Sequence, residues 1–303
     1  MPGIRERIEA ALIGQFVGDA LCLGSHWHYD PVERDREVYP GGMRGFDRPV
    51  EGHYHAGLEP GEGTHYGDAA RVLLRSIVEH GGVDVRAYGA AFVQHFGHGY
   101  TGYLDKATRG ALEHLESTGH GVDDRQTGGM SRMAAVAMIA DADRLDETVD
   151  AVVRVTQNND EAVMLNRGFA RLLRGIVSGR TVEDAVAGAG LPAGMLAKVA
   201  EAKGVPVVEA TAAFGRACNL DQTLPSIMHA LLRDGHTFVT PMLESARAGG
   251  DNAARCSVLG ALLGAHHGLD AIPVTWRERL HDRAGLQALV TRFGSLAADR
   301  QLA

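Results

Sequence analysis

The sequence predicts an all-α fold, built as one large helical domain that spans residues 1–303. Apolar residues recur at helical spacing along most of the chain, and no segment shows a convincing strand alternation. The sequence also lacks a sustained heptad and a repeat of fixed period, which argues against a coiled coil or a repeat array. At about 150 residues per domain the length would suit two domains, but one helical domain of this size is allowed.

The predicted helices follow one another with short connections rich in Gly and Asp. The first covers residues 4–22, where every fourth residue from Ile4 to Ala20 is apolar. The same periodicity predicts helices over 69–80, 85–96, 105–116, 130–141, 144–156, 160–178, 182–189, 193–203, 225–233, 238–247, 252–267 and 276–299, the last with a break near Gly285. The best candidate strand, residues 205–208, is weak.

Glycine is unusually frequent, with 39 residues in the chain. A glycine inside a helix costs up to about 1 kcal/mol relative to alanine, so its placement needs a reason. Gly14 and Gly18 lie four residues apart, and so do Gly260 and Gly264. This spacing predicts that helices 4–22 and 252–267 pack closely against each other in the core.

The longest stretch without clear periodicity covers residues 23–67 and contains five of the fifteen histidines. A loop of this length inside a compact domain is more often functional than idle, so it is a candidate lid or wall over a site. His26 with His28, and His53 with His55, could bind zinc from an extended chain. The alternative is that these rings are solvated or stacked on aromatic side chains.

Composition and charge exclude several classes of protein. A hydrophobic fraction of 45% and a charged fraction of 22% are typical of a globular chain. The net charge is −8 and Lys and Arg do not cluster, so a nucleic-acid partner is not expected. No uncharged apolar run reaches about 18 residues, and charges break the N-terminal segment where a signal peptide needs an apolar core. We therefore expect a soluble, cytoplasmic protein without a membrane partner, whose oligomeric state remains open.

Three aspartates are candidates for chemistry. Asp68 and Asp251 each follow a glycine and are expected to cap the helices at 69–80 and 252–267. Asp19 lies on the apolar first helix, where a carboxylate is costly to bury unless it is paired or ligated. These residues could be purely structural, or the two helix starts could converge on one anionic ligand. Their spacing does not decide between the two.

Several motifs of this chain resemble the ADP-ribosylglycohydrolase superfamily, nearly from end to end. They are ALIGQFVGDAL (11–21), THYGDAARVLLRSIVE (64–79), TGGMSRMAAVAM (127–138), LPSIMHALLR (224–233), GGDNAARCSVLGALLGAHHG (249–268) and IPVTW (272–276). The variants HWHYD (26–30), THYGD (64–68) and GYLDKAT (102–108) are most similar to the branch of J-crystallin and selenoprotein J.

The resemblance implies a single compact domain of orthogonally packed helices. It also implies two Mg²⁺ or Mn²⁺ ions that hold the ribose diol of an ADP-ribosyl group, bound to a protein or free, and position a water. Catalytic carboxylates are then assigned to Asp68, Asp251 and Asp19. Ligand contacts are assigned to residues of the matching motifs, namely Thr64, His65, Tyr66, Arg71, Tyr103, Gly128, Gly129, Met130, Asn252 and Arg255.

The chain departs from the family pattern at the metal ligands. Residues 66–69 stand in the places of the family's Thr-Asp-Asp-Thr, and Asp68 is the one carboxylate among them. In the second motif Asp251 is kept, but Ala253 and Ala254 replace an Asp and a Thr. A divalent cation prefers about six oxygen ligands. Asp68 and Asp251 would therefore hold at most one Mg²⁺ or Mn²⁺ ion, weakly.

Arginines stand near both remaining carboxylates. Arg71 follows Asp68 by three residues and Arg255 follows Asp251 by four, so each pair is expected to share a helix face. We hypothesise that the guanidinium groups partly replace the metal charge at a site for a ligand bearing phosphate or ribose.

Three functions remain open at this point. The first is a hydrolase with a reduced metal site that cleaves an N- or O-glycosidic bond of an ADP-ribosyl or related riboside group. The second is a catalytically impaired protein that binds ADP-ribose or a nucleotide. The third is a crystallin-like structural protein.

Calorimetric titration of the purified protein with Mg²⁺ or Mn²⁺ tests the reduced metal site. Because Ala69, Ala253 and Ala254 stand at expected ligand positions, we expect at most one weakly bound ion. Binding of two ions at micromolar affinity would contradict this prediction.

Overall fold

Sixteen α-helices and a few single turns form the secondary structure of residues 2–97 and 99–301, the part of the chain that the computed structural model describes. The helices are α1 (Ile4–Cys22), α2 (Pro31–Glu33), α3 (His65–His80), α4 (Val85–Phe96), α5 (Lys106–Thr118), α6 (Ala134–Ile139), α7 (Leu145–Arg154), α8 (Asp160–Val177), α9 (Val182–Ala187), α10 (Ala193–Glu201), α11 (Val207–Phe214), α12 (Leu220–Asp234), α13 (Val239–Arg247), α14 (Asn252–His267), α15 (Val274–Glu278) and α16 (Arg283–Gln301). Isolated β-bridges occur among these residues, but no β-sheet does. The predicted all-α class is confirmed.

Helices α1 and α14 cross at the centre of the molecule with their backbones in contact. A Cβ atom added at Gly14 would lie 2.1 Å from the carbonyl oxygen of Gly260, and one added at Gly18 would lie 2.1 Å from that of Cys256. Gly264 faces the carbonyl of Ala10 in the same way. The predicted close packing through glycines is confirmed, and almost all residues of both helices are buried.

The first helix also has the length and hydropathy of a membrane-spanning helix. The segment Ile4–Ser25 reaches a mean hydropathy of 1.3 over its most apolar window. In this structure 94% of that window is buried inside the protein. Its apolar character is therefore used for packing in the core.

Most helix boundaries agree with the sequence periodicity, with four corrections. Helix α12 begins at Leu220, five residues before the predicted start at 225, and so carries Pro225 inside the helix rather than at its first position. Helix α3 begins at His65, four residues before the predicted start, because Thr64 rather than Asp68 is its N-cap. The candidate strand at 205–208 is wrong, since α11 begins at Val207. The predicted helix at 130–141 is shorter, because a tight turn, Met130–Arg132, precedes α6.

The long loop is anchored to the core at both ends. The Trp27 N–H donates to the Gly250 carbonyl and the Gly250 N–H donates to the His28 carbonyl, both at 2.8 Å. Gly250 has a φ of +67°, and a Cβ there would lie 2.2 Å from the Arg216 carbonyl, so this position requires glycine. Farther along, the His281 N–H donates to the Gly61 carbonyl. The loop ends at Thr64, three residues earlier than the sequence suggested.

Replacing Gly18 by alanine tests the central contact. Although alanine favours a helix, the new Cβ would clash with the Cys256 carbonyl. We therefore expect the free energy of unfolding to fall by at least about 2 kcal/mol in denaturant titrations. The matched control is Gly194→Ala in α10, where a Cβ meets no atom within 4 Å and should raise stability by up to about 1 kcal/mol. Equal effects of the two substitutions would contradict the packing argument.

Candidate functional site

A cavity of about 700 Å³ opens beside the start of α3. Its walls come from residues within 16–20 of α1, 54–63 of the long loop, 65–71 of α3, 100–103 after α4, and 280–286. Asp19 and Asp68 both line it. Two of the three aspartates singled out in the sequence therefore reach one cavity.

Asp19 is buried against the N-terminus of α3. Its Oδ2 accepts from the Thr64 N–H at 2.7 Å, and its Oδ1 accepts from the Thr64 hydroxyl at 2.6 Å. A Cβ at Gly67 would lie 2.3 Å from Oδ2, so the glycine makes room for this carboxylate. Burial raises the pKa of Asp19 to about 7, although both Thr64 hydrogen bonds favour the ionised form. The group can therefore carry a proton near neutral pH.

Asp68 has a different environment. It lies in the first turn of α3, not at the N-cap as predicted, and its Oδ2 accepts from the Tyr100 hydroxyl at 2.8 Å. Burial raises the pKa of Asp68, and the Tyr100 hydrogen bond opposes this rise. Asp19 and Asp68 thus differ in their donors, because Thr64 donates two hydrogen bonds to Asp19 and Tyr100 donates one to Asp68.

Asp251 is fully buried and is not among the residues that line the cavity. It stands at the N-cap position of α14, as predicted, but its side chain makes no capping hydrogen bond. Its Oδ2 accepts from the Tyr66 hydroxyl at 3.0 Å, and its Oδ1 lies 3.0 Å from His26 Nε2. The structure therefore does not bring Asp68 and Asp251 to the same cavity, because a tyrosine and a histidine enclose Asp251.

The histidines of the loop pair with one another across the loop. His26 Nδ1 lies 2.9 Å from His55 Nε2, and the rings of His28 and His53 stack. Burial lowers the pKa of both His26 and His55, so both rings are neutral at pH 7. With His26 donating to Asp251, its other nitrogen accepts from His55. The contact to Asp251 is then a hydrogen bond and not an ion pair.

The hypothesis that arginines replace the metal charge is not supported by their contacts. The buried Arg255 guanidinium donates to the Ser245 and Gly249 carbonyls and makes no bond to the Asp251 carboxylate. Arg71 lines the cavity, but its Nη1 bonds Asp282 at 2.8 Å. Arg255 thus ties the end of α13 to the start of α14.

His65 and the aromatic side chains form the opposite wall. The ring of His65 lies 3.9 Å, centroid to centroid, from that of Tyr66, and its Nε2 is 3.7 Å from Asp105 Oδ2. Tyr54 and Tyr103 also line the cavity, and Trp27 packs edge-on against both. This wall offers aromatic faces and one neutral imidazole.

The remaining predicted ligand contacts lie outside the cavity lining. Thr64 is buried behind Asp19, and Asn252 donates to Ser25 Oγ and the Ala246 carbonyl. The segment Gly128, Gly129 and Met130 is packed under other side chains, since a Cβ at Gly129 would lie 2.1 Å from Gln157 Oε1.

The donors present do not fit the two-ion site of the resemblance. Within 2–97 and 99–301, no group of three or more His, Cys, Asp or Glu side chains is arranged to hold a metal ion. Asp251 is enclosed by Tyr66 and His26, and each oxygen of Asp19 already accepts a hydrogen bond from Thr64. The described side chains therefore do not supply the oxygen ligands of a two-ion site.

Sequence reasoning missed part of the lining. For His55 the sequence left open a zinc ligand or a ring stacked on aromatic side chains; the ring stacks on Trp27, and its hydrogen bond to His26 was not foreseen. Residues 280–286 also line the cavity, between α15 and α16. They carry no motif, so no local signal could have placed them there.

Comparison with known proteins connects this architecture to a family. The family model described as ADP-ribosylglycohydrolase matches residues 1–303. Crystallin J1B of Tripedalia cystophora is 28% identical over 301 residues, which cover 91% of this chain and 92% of that protein. Crystallin J1A of the same animal is 27% identical over 299 residues, with the same coverage. The resemblance to the J-crystallin branch is confirmed.

A solved structure shares the fold. It is described as an ADP-ribosylglycohydrolase-related protein complex, and it superposes with a TM-score of 0.75 at 24% sequence identity. The match covers 98% of this chain and 100% of that one. At this identity the likeness concerns the fold alone.

Asp19→Asn tests the protonation of the buried carboxyl. In the folded protein the pKa of Asp19 is raised from 3.8 to about 7. As the pH rises between these two values, Asp19 ionises more readily in the unfolded state than in the folded state, so the free energy of unfolding falls. Above about pH 7 it falls no further. The variant has no carboxyl group at this position, so the difference in unfolding free energy, wild type minus variant, should fall by about 4 kcal/mol between pH 4 and pH 7. Denaturant titrations across this range measure it. A difference that stays constant with pH would contradict the raised pKa.

Tyr66→Phe tests the enclosure of Asp251. The substitution removes the hydroxyl that donates to a fully buried carboxylate, so we expect the free energy of unfolding to fall by about 1–3 kcal/mol. Tyr54→Phe is the matched control, since Tyr54 is 69% exposed and should tolerate the change. Thermal and denaturant melts compare the two. Equal stability of both variants would show that Tyr66 does not hold Asp251.

Proposed function

We propose, because this chain belongs to the ADP-ribosylglycohydrolase family, that it cleaves an N- or O-glycosidic bond of an ADP-ribosyl group or a related riboside. The observation that carries the proposal is that Asp19 and Asp68 line the same cavity in different environments. Glycoside hydrolysis commonly uses two carboxyl groups whose pKa values are separated by their surroundings. Hydrolase activity agrees with the family.

Asp19 is suited to the role of general acid. Its burial raises the pKa to about 7, so a proton is available for the leaving group as the glycosidic bond breaks. Asp68 is suited to orient the attacking water and to stabilise the positive charge that develops on the ribose ring. The Tyr100 hydroxyl favours the ionised form of Asp68 and so supports this role.

The other walls of the cavity suit a riboside. Tyr54 and Tyr103 present aromatic faces on which a planar base or aglycone can stack. His65 is neutral because burial lowers its pKa, so its ring offers one donor and one acceptor to hydroxyl groups. Asp251 does not contact the substrate in this scheme and acts through Tyr66 and His26, whose rings it positions.

A second candidate is a protein on the same fold that binds a riboside without cleaving it, or that serves as a structural protein. The two similar proteins named crystallin favour this reading. Stabilisation by ligand without turnover would favour the binding protein. No response to any riboside would favour the structural one.

The activity is tested with a panel of ribosides in both anomeric forms, including ADP-ribosylated peptide and 4-nitrophenyl ribofuranoside. Release of ribose or ADP-ribose is the readout. We expect turnover in the wild type and at least a hundredfold loss of kcat in Asp68→Asn, with melting nearly unchanged, because removing a catalytic carboxylate costs several kcal/mol of barrier. The control is Asp270→Asn, an exposed acid outside the cavity lining, which should keep full activity. Unaltered turnover in Asp68→Asn would contradict the assigned role.

A further inference from the structure

We infer that the cavity takes a riboside without phosphate groups, an inference that rests on the proposed riboside hydrolysis. The first reason is the charge of the walls. Four acidic residues line the cavity, namely Asp19, Glu62, Asp68 and Asp282. Among the described lining residues Arg71 is the one Lys or Arg, and it is bonded to Asp282. With Asp19 protonated, as its proposed role requires, three of these acids still face a single arginine, so a phosphate would meet more negative than positive charge at close range.

The second reason is that the carboxyl group of Asp19 already occupies the N-terminus of α3. A helix N-terminus is a common phosphate site, because its free N–H groups and dipole attract negative charge. Here the carboxylate of Asp19 accepts the Thr64 N–H, and the Thr64 hydroxyl accepts the N–H of Tyr66. The protein's own side chains therefore occupy the place that a phosphate would take.

The third reason is that the glycine segment expected to contact the ligand is covered. A Cβ at Gly128 would lie 3.2 Å from Asp105 Oδ2 and 3.3 Å from the Tyr66 ring. At Gly129 the space is filled by the Gln157 amide. Gly128 and Gly129 are themselves buried, and one of the side chains beside them is a carboxylate that would repel a phosphate.

Two buried arginines behind the site are committed elsewhere. The Arg255 guanidinium donates to carbonyl oxygens at the end of α13. Arg132 donates to the Thr156 hydroxyl and lies over the ring of Phe92. Neither arginine lines the cavity, so neither can neutralise the negative charge of a phosphate bound there.

What the cavity does offer matches the hydroxyl groups of an unphosphorylated sugar. Carboxylates accept hydrogen bonds from hydroxyls, and the four acidic residues that line the cavity supply them. Both ring nitrogens of the buried His65 lack a hydrogen-bond partner among the described residues, although the ring lines the cavity. An unpaired imidazole in this position can donate to and accept from a neutral ligand.

The test compares 4-nitrophenyl ribofuranoside with its 5′-phosphate, two substrates that share the reacting bond. With the full-length protein we expect kcat/KM to be at least tenfold higher for the unphosphorylated substrate. The ratio should shrink as ionic strength rises, because salt screens the repulsion at the open side of the cavity. Calorimetric binding of the two compounds to Asp68→Asn gives a comparison without turnover, in which a smaller preference for the neutral compound is expected because the variant removes one acid from the wall.

Glu62→Gln removes one acid from the wall and should lower the preference for the neutral substrate severalfold. Glu59→Gln is the matched control, because it makes the same charge change three residues away on a side chain that bonds Arg48 outside the cavity lining. Equal or better cleavage of the phosphorylated substrate would overturn the inference and leave the hydrolase proposal intact. A preference that neither salt nor Glu62→Gln alters would also overturn it. If neither compound is bound or cleaved, and the other ribosides are not cleaved either, the hydrolase proposal itself fails.

Discussion

The backbone contact between α1 and α14 is the constraint on which the site depends. Gly14 and Gly18 on one helix and Gly260 on the other let the two backbones meet without intervening side chains. Asp19 follows Gly18 directly, so the contact fixes how deeply its carboxylate lies beside the start of α3. The same contact fixes the N-terminus of α14, where Asp251 lies. A small shift between the two helices would change both carboxylate environments together.

Hydrogen-bond donors, rather than cations, hold the buried acids of this protein. Thr64 supplies two donors to Asp19, and Tyr66 and His26 hold Asp251. A buried carboxylate with such partners avoids most of the cost of an unpaired charge. Burial raises the pKa of both Asp19 and Asp68, and hydrogen-bond donors oppose that rise at each of them.

The sequence predicted the helices well and the site only in part. The bounds of α1 and α14 agree with the periodicity because both helices are apolar over most of their length and end at glycine or loop residues. The role of Asp68 was mistaken because a Gly-Asp pair before a helical pattern looks like an N-cap, while Thr64 four residues earlier satisfies the same helix end. Asp251 was placed at the right helix position, but its partners lie at positions 26 and 66. Such long-range contacts leave no trace in local spacing.

The enclosure of Asp251 and the position of Gly67 limit how a metal-binding motif could be built into this chain. An aspartate at position 67 would place its Cβ 2.3 Å from the Asp19 carboxylate, and one at position 253 would bury an unpartnered charge. Tyr66 would meanwhile still donate to the Asp251 oxygen that an incoming ion needs. Each single replacement is therefore expected to destabilise the protein, and a metal site here would require changes at several contacting positions at once.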